Sequence, residues 1–188
     1  MKVELIDKMG TDLSVVNAAR VSYAKEKEEF EESDERLIRY LAEHKHWSPF
    51  AHTFLSFRIK APVFVARQLV KHQVGLVWNE ESRRYITYDP EIYNIRKWRK
   101  KPDSSKQGSG EQILISTELN LEVSEHLQQG LKLYNRLLLE NVAPEQARAV
   151  LPQSMYTNWI WSGTLYAFAR VCELRLDEHS QKETQEIA

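Results

Sequence analysis

Cysteine is nearly absent from this sequence, since Cys172 is the only one among 188 residues. One cysteine excludes an internal disulfide and is typical of proteins in a reducing compartment. No apolar run approaches the roughly 18 residues that a membrane-spanning helix needs, and Met1 to Glu4 do not begin a signal peptide. The formal net charge is only −1, whereas nucleic-acid-coating domains are usually strongly basic. We therefore expect a cytoplasmic protein without a membrane or nucleic-acid partner.

Several short motifs of cofactor and metal sites are also missing. The sequence contains neither Gly-x-Gly-x-x-Gly nor a P-loop, so no Rossmann domain is predicted. His44 and His46 resemble a pair of metal ligands, but the sequence offers no third ligand at a convincing spacing. We therefore expect no metal site. The length suits one hydrophobic core, so residues 1–188 are predicted to form a single domain.

Hydrophobic periodicity predicts strands and helices that alternate along the chain. Alternating segments indicate strands, while apolar residues at helical spacing indicate helices. Asp12 is the expected cap of the first helix, and Ser33 or Asp34 that of the second. The result is an α+β fold with a central, mostly antiparallel sheet flanked by helices. The expected strands cover residues 2–6, 52–60, 86–88 and 156–161, the helices cover 13–24, 34–44, 62–71, 116–141, 144–150 and 165–174, and residues 89–112 form a long loop.

Residues 67–85 concentrate the groups that could bind a charged ligand. Four lysines and arginines, a histidine, two carboxylates and a serine follow the apolar run 61–66 and surround Gly75. Such a pattern suits a helix end and loop that bind a multiply charged anion, because the cations would meet phosphate and the amides and carboxylates a heterocycle. An ordinary solvated helix end with scattered ion pairs is the alternative.

The same stretch resembles the signature of the flavin-dependent thymidylate synthases. That signature is Arg-His-Arg, seven residues, then Ser-x-Arg-Tyr. Here Lys71-His72-Gln73 is followed by eight residues and then Ser82-Arg83-Arg84-Tyr85. Further blocks match the family in its order, from about residue 17 to residue 183: they cover residues 17–23, 47–52, 57–68, 106–109 (the family's mobile loop), 145–152 and 174–175.

The sequence also departs from the family pattern, mainly on the flavin side. Lys71 and Gln73 replace both arginines of the signature, and Ala51 stands where the family usually has glutamate. Thr164-Leu165-Tyr166 and Arg170 replace the usual Asn-x-Arg and a later Asn. The chain therefore resembles a divergent branch in which the dUMP side is better preserved than the FAD side.

The resemblance implies a reductive methylation of dUMP to dTMP. The methylene would come from 5,10-methylenetetrahydrofolate and the reducing equivalents from NADPH through FAD. A reduced flavin can deliver a hydride, so the cofactor carries the difficult chemistry while the protein orients and polarises the substrate. The resemblance also implies a homotetramer with active sites shared between subunits.

The site residues are transferred position by position from the resemblance. Arg175 would stabilise negative charge around N3 and O2 of uracil, since a guanidinium fork matches a planar amide edge, and His52 would lie beside the flavin ring. The remaining dUMP candidates are Gln68, Lys71, Glu81, Ser82, Arg83, Arg84 and Arg148, and the FAD candidates are His52, Lys71, His72, Gln73, Glu80, Thr164, Tyr166 and Arg170.

Simpler interpretations remain for several of these residues. Arg175 could pair with Glu173 or Asp177 at the surface, and His52 could be an ordinary core histidine. Cys172 lies in an apolar segment, where a thiol tends to be inert, so a structural role is expected. Two other functions stay open: a nucleotide-binding homologue that has lost catalysis, and a single-strand-binding module that uses residues 96–101 with Trp98 as a stacking platform.

Overall fold

A four-stranded antiparallel sheet lies at the centre of the computed structural model, which describes residues 1–103 and 107–188. Its strand order is β1-β2-β6-β3, and a small separate sheet pairs β4 with β5. All strand pairs within the described residues are antiparallel. The strands are β1 Lys2–Met9, β2 Phe54–Pro62, β3 Leu76–Glu80, β4 Trp98–Arg99, β5 Gln112–Ile113 and β6 Tyr156–Thr164.

Seven α-helices in the described residues surround the sheet, which confirms the α+β class. Short 3-10 turns at Val21–Tyr23, Ser48–His52 and Arg148–Val150 supplement them. No described helix combines the length and the apolar character that a bilayer crossing requires. The α-helices are α1 Asp12–Arg20, α2 Glu32–Glu43, α3 Val63–Leu69, α4 Thr117–Leu139, α5 Pro144–Ala147, α6 Leu165–Arg175 and α7 Lys182–Gln185.

The hydrophobic core forms where α3 and α6 pack on β2 and β6. Alternate residues of β6 are buried, so Trp159 and Trp161 point into this layer beside Ile59 of β2. Trp78 of β3 stacks on Trp159 with ring centroids 4.4 Å apart. Large aromatic rings bury much apolar area and favour such offset contacts. The core thereby fixes α3, which carries Gln68, and α6, which carries Tyr166, Arg170 and Arg175.

Two prolines shift the element boundaries around α3. Pro49 lies in the 3-10 turn Ser48–His52, so β2 starts only at Phe54 and the prediction that His52 belongs to the strand is wrong. Pro62 is the last residue of β2, with φ −63° and ψ 150°, and α3 begins after it. The helix ends at Leu69, and Lys71 therefore lies in the following turn rather than on the helix.

The strand β3 was not predicted, and the strand expected at residues 86–88 is absent. Gly75 adopts φ 76°, which favours glycine, and turns the chain so that β3 can pair with the end of β6. A Cβ on Gly163 would lie only 2.3 Å from the carbonyl oxygen of Gly75, so the two backbones approach closely here. Residues 86–88 instead form a loop whose Tyr88 carbonyl accepts a hydrogen bond from Arg83.

The caps of the first two helices lie before the expected residues, by one position in α1 and by two or three in α2. Thr11, not Asp12, precedes α1, and its backbone N–H donates to Ser14 Oγ at 3.0 Å. Glu31 precedes α2, and its N–H donates to Asp34 Oδ2 at 3.0 Å. Asp34 is fully buried and also accepts hydrogen bonds from Arg20 and Lys27, so it joins α1 to α2.

The other predicted helices are confirmed, and the long loop is partly ordered. The helices expected at residues 116–141, 144–150 and 165–174 match α4, α5 with its 3-10 extension, and α6. Within the predicted loop 89–112, β4 and the start of β5 form a short hairpin. Lys106, which belongs to the block that resembles the family's mobile loop, lies outside the described residues.

Candidate functional site

A cleft of about 880 Å³ opens beside the C-terminal end of α6. The predicted residues Gln68 and Arg175 face it from α3 and α6. The rest of its wall comes from α6 itself, from the hairpin and its loop, and from the segment after α6. Gln107, Gly108 and Ser109 belong to the block that resembles the family's mobile loop, whereas no prediction placed Arg99, His179, Ser180 or Gln181 at a nucleotide or flavin site.

Arg175 and His72 form the most direct contact between predicted residues. Arg175 Nε donates a hydrogen bond to His72 Nε2 at 2.8 Å, so this ring nitrogen must be unprotonated. Burial, and secondarily the charges of Arg175 and Arg170, lower the pKa of His72 below its ordinary value. The contact uses only one nitrogen of the guanidinium. Arg175 therefore pairs with a neutral histidine rather than with Glu173 or Asp177, the partners that the alternative interpretation named.

Gln68 is held by the C-terminal segment through both ends of its amide. Its Nε2 donates to Gln181 Oε1, and its Oε1 accepts from the hydroxyl of the fully buried Thr184 at 3.2 Å. Gln181 Nε2 in turn donates to Glu183 Oε2 at 2.9 Å. The side chain that faces the cleft is thus fixed in place before any ligand arrives.

An ion pair continues this network towards the hairpin. Arg99 contacts both carboxylate oxygens of Glu183, at 2.7 and 2.8 Å, and its Nε donates to Ser109 Oγ at 2.8 Å. Glu183 is buried, which makes the paired geometry important because an unpaired buried charge is costly. Sequence reasoning grouped Arg99 with a basic run for nucleic acid. The structure instead uses it to join the hairpin to α7.

Glu80 and Glu81 are anchored by side chains of β6. Thr157 Oγ1 donates to Glu80 Oε1 at 2.7 Å, and Asn158 Nδ2 donates to Glu81 Oε2 at 2.8 Å. Trp78 Nε1 also donates to Glu80, at 3.1 Å. The pairing of β3 with β6 brings Glu80, and Glu81 after it, next to these β6 side chains at the end of β3.

Arg84 and Arg148 both contact Glu145, the first at its carboxylate and the second at its backbone carbonyl. Arg84 Nε lies 3.4 Å from Glu145 Oε2, and Arg148 Nε donates to the carbonyl oxygen of Glu145 at 3.3 Å. Both arginines are exposed and therefore open to an anion. Ser82 lies in the turn before them and accepts a hydrogen bond from the Arg84 N–H at 3.3 Å.

Arg83 differs from its neighbours because it is buried, with only 4% of its surface exposed. Its guanidinium donates to the Tyr88 carbonyl and lies 4.8 Å from the Tyr88 ring centroid. Its buried Nε has no hydrogen-bond partner within the described residues. The contacts present thus shape the turn that carries Ser82 and Arg84.

The residues predicted for the flavin fall into two places. Tyr166 and Arg170 line an apolar depression of about 420 Å³ on α6, together with Trp47 and Phe50. The exposed His52 ends the 3-10 turn that holds Phe50, and Thr164 caps α6, since its Oγ1 accepts from the Ala167 N–H at 3.1 Å.

The remaining flavin candidates lie between α3 and β3. Lys71 and Gln73 are exposed in the turn after α3, and Lys71 shares a depression of about 190 Å³ with Glu80. His72, between them, is turned to Arg175. The structure therefore brings together Gln68, His72 and Arg175, and separately Arg84 and Arg148, but the described lining of the large cleft does not include the second pair.

The comparisons with known proteins decide the family. The family model described as "Thymidylate synthase complementing protein" matches residues 4–188. A flavin-dependent thymidylate synthase from Kosmotoga olearia is 40% identical over 190 residues, which cover 99% of this chain and 81% of the relative. This chain belongs to the flavin-dependent thymidylate synthases. It is thus a member of a family of methyltransferase enzymes.

Other members of the family and a solved structure agree with this assignment. The flavin-dependent thymidylate synthase of Thermosipho melanesiensis is 38% identical over 188 residues, covering 99% of this chain and 81% of the relative. The UMP/dUMP methylase PolB from Streptomyces cacaoi, bound with 5-Br dUMP, superposes with a TM-score of 0.82 at 32% identity. The match covers 99% of this chain and 85% of PolB. The fold is therefore that of a family methylase.

The depression on α6 has the chemistry that a flavin requires. Trp47 and Tyr166 present rings whose centroids lie 5.7 Å apart, so the wall can stack against a planar heterocycle. Lys45 and Arg170 at the same depression supply cations for phosphate groups. An apolar wall with a few polar groups is the usual form of a cofactor site. The residues present thus fit the cofactor that the family name gives.

Cys172 and Trp98 are each held by a contact within the described residues. Burial raises the pKa of the Cys172 thiol, and its Sγ lies 3.3 Å from the Ala188 carbonyl oxygen, so it is not an activated nucleophile. Trp98 Nε1 donates to Asn120 Oδ1 at 3.0 Å in the hairpin, which restrains its ring. The described part of the chain contains no cluster of three histidine, cysteine, aspartate or glutamate residues that could hold a metal ion.

Proposed function

We propose that this protein methylates dUMP to dTMP, with 5,10-methylenetetrahydrofolate as the one-carbon donor and NADPH as the reductant of its FAD. Family membership supports the reaction class, and the likeness to PolB bound with 5-Br dUMP supports the nucleotide. The observation that carries the proposal is the meeting of Gln68 and Arg175 at one cleft, with His72 bonded to Arg175. We also propose that residues 1–188 act as a single domain.

Arg175 is the residue that we assign to the pyrimidine. Its Nε is engaged by His72, which holds the guanidinium plane at the cleft and leaves the terminal nitrogens for a ligand. A preorganised cation lowers the energy of negative charge that develops on uracil and so makes C5 more nucleophilic. A neutral His72 supports this arrangement, because a protonated ring could not accept the hydrogen bond.

Arg84 and Arg148 are assigned to the phosphate of dUMP, with Ser82, Glu81 and Lys71 nearby in sequence or space. Two exposed guanidinium groups contact Glu145, one at its carboxylate and one at its backbone carbonyl, and a phosphate dianion can enter between them by replacing these weak contacts. These arginines are absent from the described lining of the cleft that holds Arg175. We therefore propose that a second copy of the chain completes each site, in a homotetramer.

Flavin binding is assigned to the depression on α6, with Tyr166, Arg170, Thr164 and His52. In the proposed assembly Lys71, His72, Gln73 and Glu80 reach the same cofactor from another copy. A bound reduced flavin supplies the reducing equivalents that turn the transferred methylene into a methyl group. The protein's part is to stack the ring, to neutralise phosphate groups with Arg170, and to keep water from the cleft.

The test is a single turnover without oxygen. Purified protein should be yellow, and dithionite-reduced protein mixed with dUMP and methylenetetrahydrofolate should form dTMP, which nucleotide chromatography measures. Reactions without folate or without the reductant are the controls, and NADPH then replaces dithionite to test the natural reductant. UMP belongs in the same assay because PolB is described as a UMP/dUMP methylase. Tight dUMP binding without any dTMP would support the catalytically inactive homologue instead.

A further inference from the structure

A directed chain of hydrogen bonds runs from the hairpin to the amide of Gln68. Arg99 binds both oxygens of Glu183, Glu183 accepts from Gln181 Nε2, and Gln181 Oε1 accepts from Gln68 Nε2. Each link is buried or half-buried. The chain ends at the amide of Gln68, which faces the cleft from α3.

Glu183 gives this chain its direction. An ionised carboxylate can accept hydrogen bonds but cannot donate them. Burial alone would raise the pKa of Glu183, but the hydrogen bonds from Arg99 and Gln181 outweigh it and lower the pKa overall. Gln181 must therefore turn its NH2 group to Glu183 and its oxygen to Gln68.

The orientation of Gln68 follows from that of Gln181. Because Gln181 presents an oxygen, Gln68 must present its NH2 group there and its own oxygen to Thr184. The Thr184 hydroxyl can donate or accept, so it tolerates either orientation and does not select one. A free glutamine amide can flip and exchange its donor with its acceptor. The carboxylate of Glu183, two links away along the hydrogen-bond chain, prevents the Gln68 amide from doing so.

We propose that the locked amide of Gln68 selects uracil over cytosine nucleotides, with Glu183 as the positioning residue that sets its orientation. This inference rests on the proposed function, and it assigns the contact with the base of dUMP to Gln68 because this residue lines the same cleft as Arg175. Uracil offers an N3–H donor beside the O4 acceptor, whereas cytosine offers an N3 acceptor beside the N4 amino donor. An amide of fixed orientation matches only one of these patterns, and a flipped amide matches the other.

The experiment measures the dissociation constants of dUMP and dCMP, with bound flavin present, in the parent protein and in Glu183→Gln. The ratio of the two constants is the informative quantity, because general damage to the segment weakens both ligands alike. The parent should prefer dUMP by on the order of a hundredfold or more, since mismatched groups remain unpaired with dCMP. In Glu183→Gln a neutral amide can donate or accept, so the preference should fall by roughly tenfold or more.

Matched variants distinguish loss of the fixed orientation of the Gln68 amide from loss of a hydrogen bond that merely supports this side chain. Gln181→Leu breaks the chain at its next link and should lower the preference as Glu183→Gln does, which keeps the test available if Glu183→Gln does not fold. Thr184→Val removes a hydrogen bond to the same amide without removing the selecting group, so the dUMP-to-dCMP ratio should persist even if both affinities weaken. In a Gln68→Leu background, Glu183→Gln should change the ratio no further.

The outcomes also separate this inference from the proposed function. A parent protein that does not bind dUMP would overturn the proposed function itself. A parent that binds dUMP tightly, together with an unchanged ratio in Glu183→Gln and Gln181→Leu, would overturn the role of Glu183 and leave the proposed function intact.

Discussion

Replacing Arg175 with alanine should abolish most dTMP formation while leaving a folded flavoprotein. The side chain is half-buried at the cleft, and its only described hydrogen bond is the 2.8 Å contact from Nε to His72. Losing that bond costs about 0.5–1.5 kcal/mol of stability, which a domain of this size tolerates. Losing one preorganised donor to developing charge costs about 3–4 kcal/mol, or roughly a hundred- to a thousandfold in turnover. The turnover of Arg175→Lys should lie between that of the parent and that of Arg175→Ala, because lysine keeps the charge but not the guanidinium fork.

The assay compares single-turnover dTMP formation, flavin absorbance and thermal unfolding. Arg39→Ala is the matched control, since Arg39 is exposed and its ion pair with Glu35 is of the i,i+4 surface type, worth about 0.3–0.5 kcal/mol. Turnover of Arg175→Ala within a few-fold of the parent would refute the assignment. Parallel loss of flavin and of thermal stability would instead show that Arg175 acts mainly as a structural residue.

Three further predictions follow from other contacts. Cys172→Ala and Cys172→Ser should retain dTMP synthesis, because burial raises the pKa of this thiol; loss of turnover in both folded, flavin-bound variants would require a cysteine mechanism. Affinity for dUMP should decrease as pH falls below 6.5, the ordinary pKa of histidine, since protonation of His72 breaks its contact with Arg175. His72→Gln keeps a hydrogen-bond acceptor and should make the dUMP affinity less dependent on pH; an unchanged pH dependence would contradict this role of His72. Asp34→Asn should lower the melting temperature at neutral pH, because the hydrogen bond from Lys27 is the main cause that lowers the pKa of Asp34 from 3.8 to about 2. The stabilisation by ionised Asp34 is complete above its ordinary pKa and is lost as pH falls towards 2, so the melting temperatures of parent and variant should converge there.

The helices that carry the site were predictable because their signals are local. Apolar residues at helical spacing after Thr164 indicate α6, and Pro144 marks α5. The strand β3 was missed since Leu76–Glu80 is a short segment within a polar stretch, and its pairing depends on the close backbone approach of Gly75 and Gly163. A contact between residues so far apart in sequence leaves no periodic pattern.

The candidate site shows the same division between local and distant information. The resemblance supplied Gln68, His72 and Arg175; the fold brings Gln68 and Arg175 to one cleft and bonds His72 to Arg175. It did not supply Arg99 or Glu183, whose pairing joins residues 84 positions apart. Arg99 stood in the basic run 96–101, which suggested a single-strand-binding surface, and Glu183 is a carboxylate far along the chain from it. Only the folded chain shows that each neutralises the other.

The stacked indoles of Trp78 and Trp159 give the molecule a built-in optical reporter. Their centroids lie 4.4 Å apart with planes tilted by 19°, close enough for the excited states of the two rings to couple and to contribute to the circular dichroism of the folded chain. Trp78 also donates to Glu80, so the signal comes from the strand that carries this carboxylate. A ligand that pulls β3 from β6 would separate the rings and erase the coupled band, and movement at this edge of the sheet can thus be followed by spectroscopy without an attached label.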